Sequence, residues 1–288
     1  MTKAKMLKAA TLQFAMSNKS EDNIATGVRM VTEAAKQGAE LILLPELFAL
    51  PYFCKTQKPI YFAEAHPFED NPILETFSQL AQKLRVVLPV SFFERSGQCY
   101  FNSLAMIDAD GEVLDIYRKS HIPDGPGYQE KFYFSPGDTG FKVWETQVGR
   151  IGTAICWDQW FPEAARIMTL MGAEILCYPT AIGSEPQDTS IDSKPHWQLT
   201  MQGHSAANMI PLVVSNRIGK ECDDDVCINF YGSSFMTDHR GQIITESSRN
   251  EETIQYAEWD LNAVTEARHA WGLFRDRRPE LYTDILSL

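Results

Sequence analysis

The stretch Gly38-Ala39-Glu40-Leu41-Ile42-Leu43-Leu44-Pro45 recurs as Gly172-Ala173-Glu174-Ile175-Leu176-Cys177-Tyr178-Pro179, and this repetition sets the fold. In each copy a continuous apolar run between Gly and Pro predicts a strand buried on both faces. Before the first copy, Ile24, Val28, Val31 and Ala35 recur at four- and three-residue spacing, the mark of one apolar helix face, and Gly38 stands where a left-handed C-cap belongs. Before the second, Pro162 opens a helix, Ala165, Met168 and Met171 follow its face, and Gly172 caps it. A second match supports the first. Residues 101–107 read as a strand, Asp108-Ala109-Asp110-Gly111 as a tight turn and residues 112–118 as the return strand; residues 231–237, Asp238-His239-Arg240-Gly241 and residues 242–246 repeat that hairpin at nearly the same offset. The chain therefore carries a duplicated unit of strand, helix, strand and hairpin.

The other elements fit this plan. A helix over 72–84 leads to a strand over 86–93, and a helix over 194–208 leads to a strand over 212–215. Two mixed sheets, each with helices on one face, bury their bare faces against one another in an α/β, four-layer α-β-β-α sandwich with an internal pseudo-two-fold. No Pro/Gly/Ser-rich linker separates the halves, so residues 1–288 are expected to form a single domain. Its tail, from about residue 260, is expected to dock on the body or at a subunit interface.

Composition narrows the function. With 44% hydrophobic and 22% charged residues the 288-residue chain is of ordinary globular type. No apolar run approaches the roughly 18 residues of a membrane span, and the basic N-terminus lacks the apolar core of a signal peptide, so a cytoplasmic protein with no membrane partner is expected. Twenty-six basic against 38 acidic residues give a net charge of −12, a field that repels phosphate backbones and argues against a nucleic-acid partner. It favours a cationic small molecule. Six cysteines in a chain of this length do not suggest a disulfide framework, and a reducing compartment leaves each as a ligand, nucleophile or small core residue.

Cys156 ends the apolar strand Ile151-Gly152-Thr153-Ala154-Ile155 and precedes a helix entry at Trp157-Asp158-Gln159-Trp160-Phe161-Pro162. A strand-to-helix elbow exposes a side chain at the end of a sheet and aims backbone N–H groups at a developing oxyanion. The competing reading is a small buried hydrophobe. Glu46 lies just past a buried strand, where it is either a desolvated general base or a solvated loop acid. Lys119, leaving the return strand of the first hairpin, is either a carbonyl-polarising ammonium or a surface charge, and Glu130 alone has an equally open case.

Taken together, Leu43-Leu44-Pro45-Glu46-Leu47-Phe48, Tyr117-Arg118-Lys119-Ser120-His121 and Ile155-Cys156-Trp157-Asp158 resemble the three signature blocks of the nitrilase superfamily, in the right order, and the likeness runs from about residue 8 to residue 282. The resemblance implies a Glu-Lys-Cys triad on an α-β-β-α sandwich that assembles through its outer helices into dimers or larger homo-oligomers. It makes Glu46 the base, Lys119 the oxyanion stabiliser and Cys156 the nucleophile, with Glu130 in support and the Trp157 N–H completing the oxyanion hole. Residues 156–166, 178–187 and 124–130 are similar to those of the N-carbamoylputrescine amidases of polyamine synthesis. This implies hydrolysis of a carbamoyl amine to putrescine, carbon dioxide and ammonia, with no cofactor. An amidohydrolase of carbamoyl amino acids or ω-amides, and a non-catalytic binding protein of the same fold, are the alternatives.

A carbamoyl amino acid needs an arginine fork for its carboxylate, whereas a carbamoyl amine needs carboxylates or aromatic faces for its ammonium. The segment Ile182-Gly183-Ser184-Glu185-Pro186-Gln187-Asp188 follows the second buried strand as Glu46 follows the first, and holds no Lys or Arg before Lys194. Glu185 is therefore expected to anchor the ammonium of a small cationic substrate, with Tyr128, Asp158 and Trp160 as further contacts. The pair Cys222 and Cys227 has the wrong spacing for zinc and reads as an acidic loop with two incidental thiols, and the scattered histidines offer no metal site. His121 reads as a structural hydrogen bonder.

Overall fold

Gly38 and Gly172, the residues that close the two copies of the repeat, both adopt left-handed backbone, with φ of 84° and 93°. The computed structural model describes residues 4–287. Its first half runs β1 (Met6–Gln13), α1 (Ser20–Lys36), β2 (Leu41–Leu43), α2 (Pro72–Leu84), β3 (Leu88–Ser96), β4 (Cys99–Ile107) and β5 (Val113–Arg118). Then come β6 (Lys142–Thr146), β7 (Gly149–Thr153), α3 (Pro162–Leu170), β8 (Ile175–Thr180), α4 (Lys194–Asn208) and β9 (Leu212–Asn216). A hairpin of β10 (Ile218–Asp223) and β11 (Val226–Tyr231) precedes β12 (Phe235–Thr237), β13 (Ile243–Glu246), β14 (Thr253–Asp260) and α5 (Leu261–Trp271).

One sheet is ordered β14-β1-β2, and a parallel bridge between Leu41 and Val87 joins it to β3-β4-β5. The other is ordered β6-β7-β8-β9-β12-β13. The two orders correspond strand for strand. In each sheet the second and third strands pair in parallel, and an antiparallel edge strand and a hairpin flank the parallel centre. The duplicated unit expected from the sequence is therefore present.

Strand alternation divides the core. Leu7, Ala9, Leu41 and Leu43 of the first sheet meet Ile151, Ile175, Cys177 and Val213 of the second between the sheets. The other face of the first sheet, with Ala10, Leu12 and Ile42, packs on Met30, Val31 and Ala34 of α1 and Leu74, Phe77 and Ala81 of α2. The helices α3 and α4 cover the second sheet in the same way, through Ala165, Met168, Trp197 and Met201. The four-layer α-β-β-α sandwich of two mixed sheets is the observed fold.

Local signals explain the helix ends. The Asn71 side chain accepts from the Ile73 and Leu74 N–H groups ahead of Pro72, and the Asp260 side chain caps α5 through Asn262 and Ala263. The tail expected from about residue 260 thus opens with a capped helix, ended by Gly272 at φ 79°. Beyond it, Phe274 lies under the guanidinium groups of Arg166 and Arg268. No helix among the described residues is long and apolar enough to cross a membrane.

The expectation for Cys222 and Cys227 requires correction. They are not incidental thiols in a loop: they face each other across the β10–β11 ladder and form a disulfide. Antiparallel pairing brings two side chains five positions apart in the chain within bonding reach, which a loop reading conceals.

Candidate active site

Glu46 leaves β2 through Leu44 and Pro45 and is fully buried. Its Oε1 accepts from Lys119 Nζ at 2.8 Å and Asn102 Nδ2 at 2.6 Å, while its buried Oε2 has no hydrogen-bond partner among the described residues. The solvated-loop reading of Glu46 therefore fails. A buried carboxylate with one oxygen held and the other bare is built to accept a proton.

Lys119, also buried, follows β5; its N–H donates to the Asn102 carbonyl at 2.8 Å and its carbonyl accepts from Gly137 N at 2.8 Å. A Cβ on Gly137 would stand 2.0 Å from the Arg118 carbonyl oxygen, so only glycine permits this approach. The ammonium lies between Glu46 and Glu130, whose Oε2 is 2.7 Å away. Glu130 Oε1 accepts from the Tyr52 hydroxyl at 2.7 Å. Burial alone would lower the Lys119 pKa, but the Glu130 and Glu46 carboxylates outweigh it and hold the ammonium charged well above its ordinary range. Burial raises the pKa of Glu130, against the opposing pull of Lys119.

Cys156 opens a short 3-10 turn, Cys156–Trp160, directly after β7, with φ of 41°. A non-glycine residue in left-handed backbone is strained, which is the elbow expected from the sequence. Its Sγ sits 3.8 Å from the Ala181 carbonyl. Burial pushes the thiol pKa well above its ordinary value, Glu46 adds to this and Lys119 opposes it. The group is therefore a thiol at neutral pH, and a base must remove its proton before it attacks a carbon.

Cys156 and Glu130 reach a cavity of about 340 Å³ that Tyr128, Trp157, Trp160, Asp124 and Glu185 also line. No Lys or Arg is among the described residues lining it. The Tyr128 hydroxyl accepts from Gly183 N at 3.0 Å and donates to the Ser184 carbonyl at 3.1 Å, so its polar end holds the Glu185 loop.

Asp158 differs from expectation. It is fully buried and absent from the cavity wall. Its Oδ2 accepts from Ile155 N at 3.0 Å and the Tyr117 hydroxyl at 2.7 Å, and its Oδ1 from His121 N at 2.9 Å. With both oxygens occupied it fixes the elbow rather than touching a ligand. His121, stacked on Phe161 with ring centroids 3.6 Å apart, is the structural hydrogen bonder anticipated for it.

Sequence reasoning missed Asn102, Tyr52, Asp124 and Arg217. For Asn102 a signal existed: the hairpin register pairs Ser103 with Arg118, which sets Asn102 beside Lys119. Tyr52 and Arg217 reach the site from segments far apart in the chain, with no local pattern to mark them.

A family model described as carbon-nitrogen hydrolase matches residues 8–269. The chain is 54% identical to a citrullinase of Francisella tularensis, over 97% of this chain and 98% of that protein. It is also 54% identical to an N-carbamoylputrescine amidase of Arabidopsis thaliana, over 97% and 95%. Its fold superposes on a crystal structure of a carbon-nitrogen hydrolase from Helicobacter pylori with a TM-score of 0.92, at 42% identity, covering 98% of this chain and 99% of that one. The chain belongs to the carbon-nitrogen hydrolase family of the nitrilase superfamily and is an amide-hydrolysing enzyme.

Proposed function

We propose that the enzyme hydrolyses N-carbamoylputrescine to putrescine, carbon dioxide and ammonia through a cysteine acyl-enzyme. Glu46 Oε2 takes the Cys156 proton as the thiolate attacks the ureido carbon, and the Lys119 ammonium and Trp157 N–H stabilise the resulting oxyanion. Glu46 returns the proton to the leaving nitrogen, then takes one from the water that cleaves the thioester. Glu130 keeps Lys119 charged and in place. The unpartnered Glu46 Oε2 supports this assignment of the base.

The observation that carries the substrate class is the cavity wall: Asp124 and Glu185 among aromatic rings, with no Lys or Arg among the described residues that line it. An alkylammonium suits that lining, and burying its chain against Trp157 and Trp160 adds apolar contact. Citrulline is the second reading, favoured by the similarity to the bacterial citrullinase. Its ureido group suits the same chemistry, but its α-carboxylate would face carboxylates without an arginine fork.

Ammonia release from N-carbamoylputrescine, citrulline, N-carbamoyl-β-alanine and glutamine, with Cys156→Ala as blank, tests the reading. We expect the cationic substrate to have the highest kcat/KM, and Glu185→Gln to raise its KM by tenfold or more with kcat little changed. Preference for citrulline would overturn the substrate and leave the hydrolase. We extend the proposal to assembly as a homo-oligomer. Ile167 and Leu170 of α3 and Leu199 of α4 leave an exposed apolar face bordered by the tail, which a second copy of the chain would cover. Sedimentation should give a smaller species for Leu199→Glu than for wild type.

A further inference from the structure

The β10–β11 hairpin lies outside both sheets, yet it sends a buried carboxylate toward the segment that carries Glu46. Glu221 Oε1 pairs with Arg217 Nη1 at 3.0 Å, and its Oε2 accepts from the Tyr52 N–H at 2.5 Å. The Arg217 guanidinium, itself fully buried, turns its Nη groups to backbone as well: Nη2 to the carbonyls of Glu46 at 2.6 Å and Leu47 at 3.1 Å, and Nη1 to Leu50 at 3.2 Å, while its Nε has no hydrogen-bond partner among the described residues. Tyr52, held at its N–H by Glu221, donates its hydroxyl to Glu130.

Two lines therefore leave one side chain. One runs through Arg217 to the peptide bearing Glu46; the other runs through Tyr52 to Glu130 and so to Lys119. We propose that Glu221 is a positioning residue for the hydrolysis, setting Glu46 and Glu130 on either side of Lys119. The hairpin provides the rigid base that this role needs. The Cys222–Cys227 disulfide closes the ladder next to Glu221, and Asp223 accepts from Lys58 Nζ and Thr56 Oγ1, each at 2.5 Å, to fix the following stretch. Residues holding a reacting group in place act by keeping its geometry within a fraction of an ångström, so small losses of support are read as losses of turnover.

The inference rests on Glu46 as the base, and its test separates the two ideas. Glu221→Gln keeps the shape but replaces one acceptor oxygen with a donor, so Arg217 or the Tyr52 N–H loses its partner. With purified full-length enzyme and N-carbamoylputrescine, we expect kcat to fall tenfold or more while KM stays within twofold, at a temperature where circular dichroism shows the variant folded. The rate of Cys156 alkylation by iodoacetamide should fall similarly. In a Glu46→Gln background the same substitution should change that alkylation rate by less than twofold, because the group it positions is gone. A purely structural role would give equal effects in both backgrounds.

Retention of kcat within twofold in Glu221→Gln, or an undiminished effect in the Glu46→Gln background, overturns the proposal. If Glu221→Gln does not fold, Glu221→Asp keeps the charge, shortens the reach, and is held to the same two criteria. If the wild type is silent on N-carbamoylputrescine while alkylation follows the expected pattern, the substrate reading fails and the positioning role stands.

Discussion

Asp158 holds His121 twice, accepting from its backbone N–H at 2.9 Å and from its ring Nδ1 at 2.7 Å on the same carboxylate oxygen. One residue lies two positions after Cys156 and the other two positions after Lys119, so the pair ties the elbow of one sheet to the strand end of the other. In Asp158→Asn an amide N–H₂ must face buried donors. An unsatisfied buried polar group costs about 1–3 kcal/mol, so thermal unfolding should begin several degrees lower. Turnover should fall as well, since both chemical groups hang from this link; a variant with wild-type Tm and kcat would refute the role.

Lys119→Met leaves two buried carboxylates with no ammonium between them. Glu130, whose pKa burial already raises, loses the opposing pull of Lys119 and should rise further. The folded state then keeps a proton that the unfolded chain releases near the ordinary value of 4.5, so stability is greatest below that value and falls as pH rises toward neutrality. Urea unfolding at about pH 5 and about pH 8 should show the variant losing more stability than wild type between them. Amide hydrolysis should be abolished at every pH.

The raised pKa of the Cys156 thiol has its own signature. Burial, the larger cause of that rise, remains when Glu46 is replaced, so the thiol stays protonated at neutral pH with no base to take its proton. In Glu46→Gln the rate of iodoacetamide alkylation should be low at neutral pH and climb only in alkaline solution, while wild type reacts readily at neutral pH. Equal profiles for the two proteins would remove Glu46 from the role of base.

Thiol titration of the unfolded chain without reductant should count the four free cysteines, Cys54, Cys99, Cys156 and Cys177. After reduction it should count all six. Six in both conditions would show that Cys222 and Cys227 are unbonded.

Much of this was legible because it is local. The helices over 72–84 and 194–208 were readable to the residue, since Pro opens each and apolar spacing carries it. The repeat revealed both buried strands, and from the end of the first came Glu46; Cys156 came from the separate apolar strand over 151–155. The β10–β11 hairpin was not legible, because among its mostly exposed polar residues Glu221 is buried by partners such as Arg217 and Tyr52. A run of Asp and Glu reads as surface unless those partners are known. The same holds for Asp158: its type and position beside the thiol suggested a ligand contact, and only the hydrogen bonds show it spent on structure. The edge strand β14 alternates clearly as Thr253-Ile254-Gln255-Tyr256, but nothing nearby in sequence tells that it pairs with β1.

The matching strand orders of the two sheets place Glu46 and the Glu185 loop at equivalent addresses, just beyond β2 in one half and β8 in the other. On the proposed assignment the duplicated architecture is divided in labour: one copy of the address would serve bond cleavage, and the other would face the variable end of whatever is cleaved. The Glu46 carboxylate is held by Lys119 and Asn102, so residues 185–192 could change charge without touching that support. A library randomised over that loop is the natural starting point for enzymes that cut the same bond in differently charged molecules.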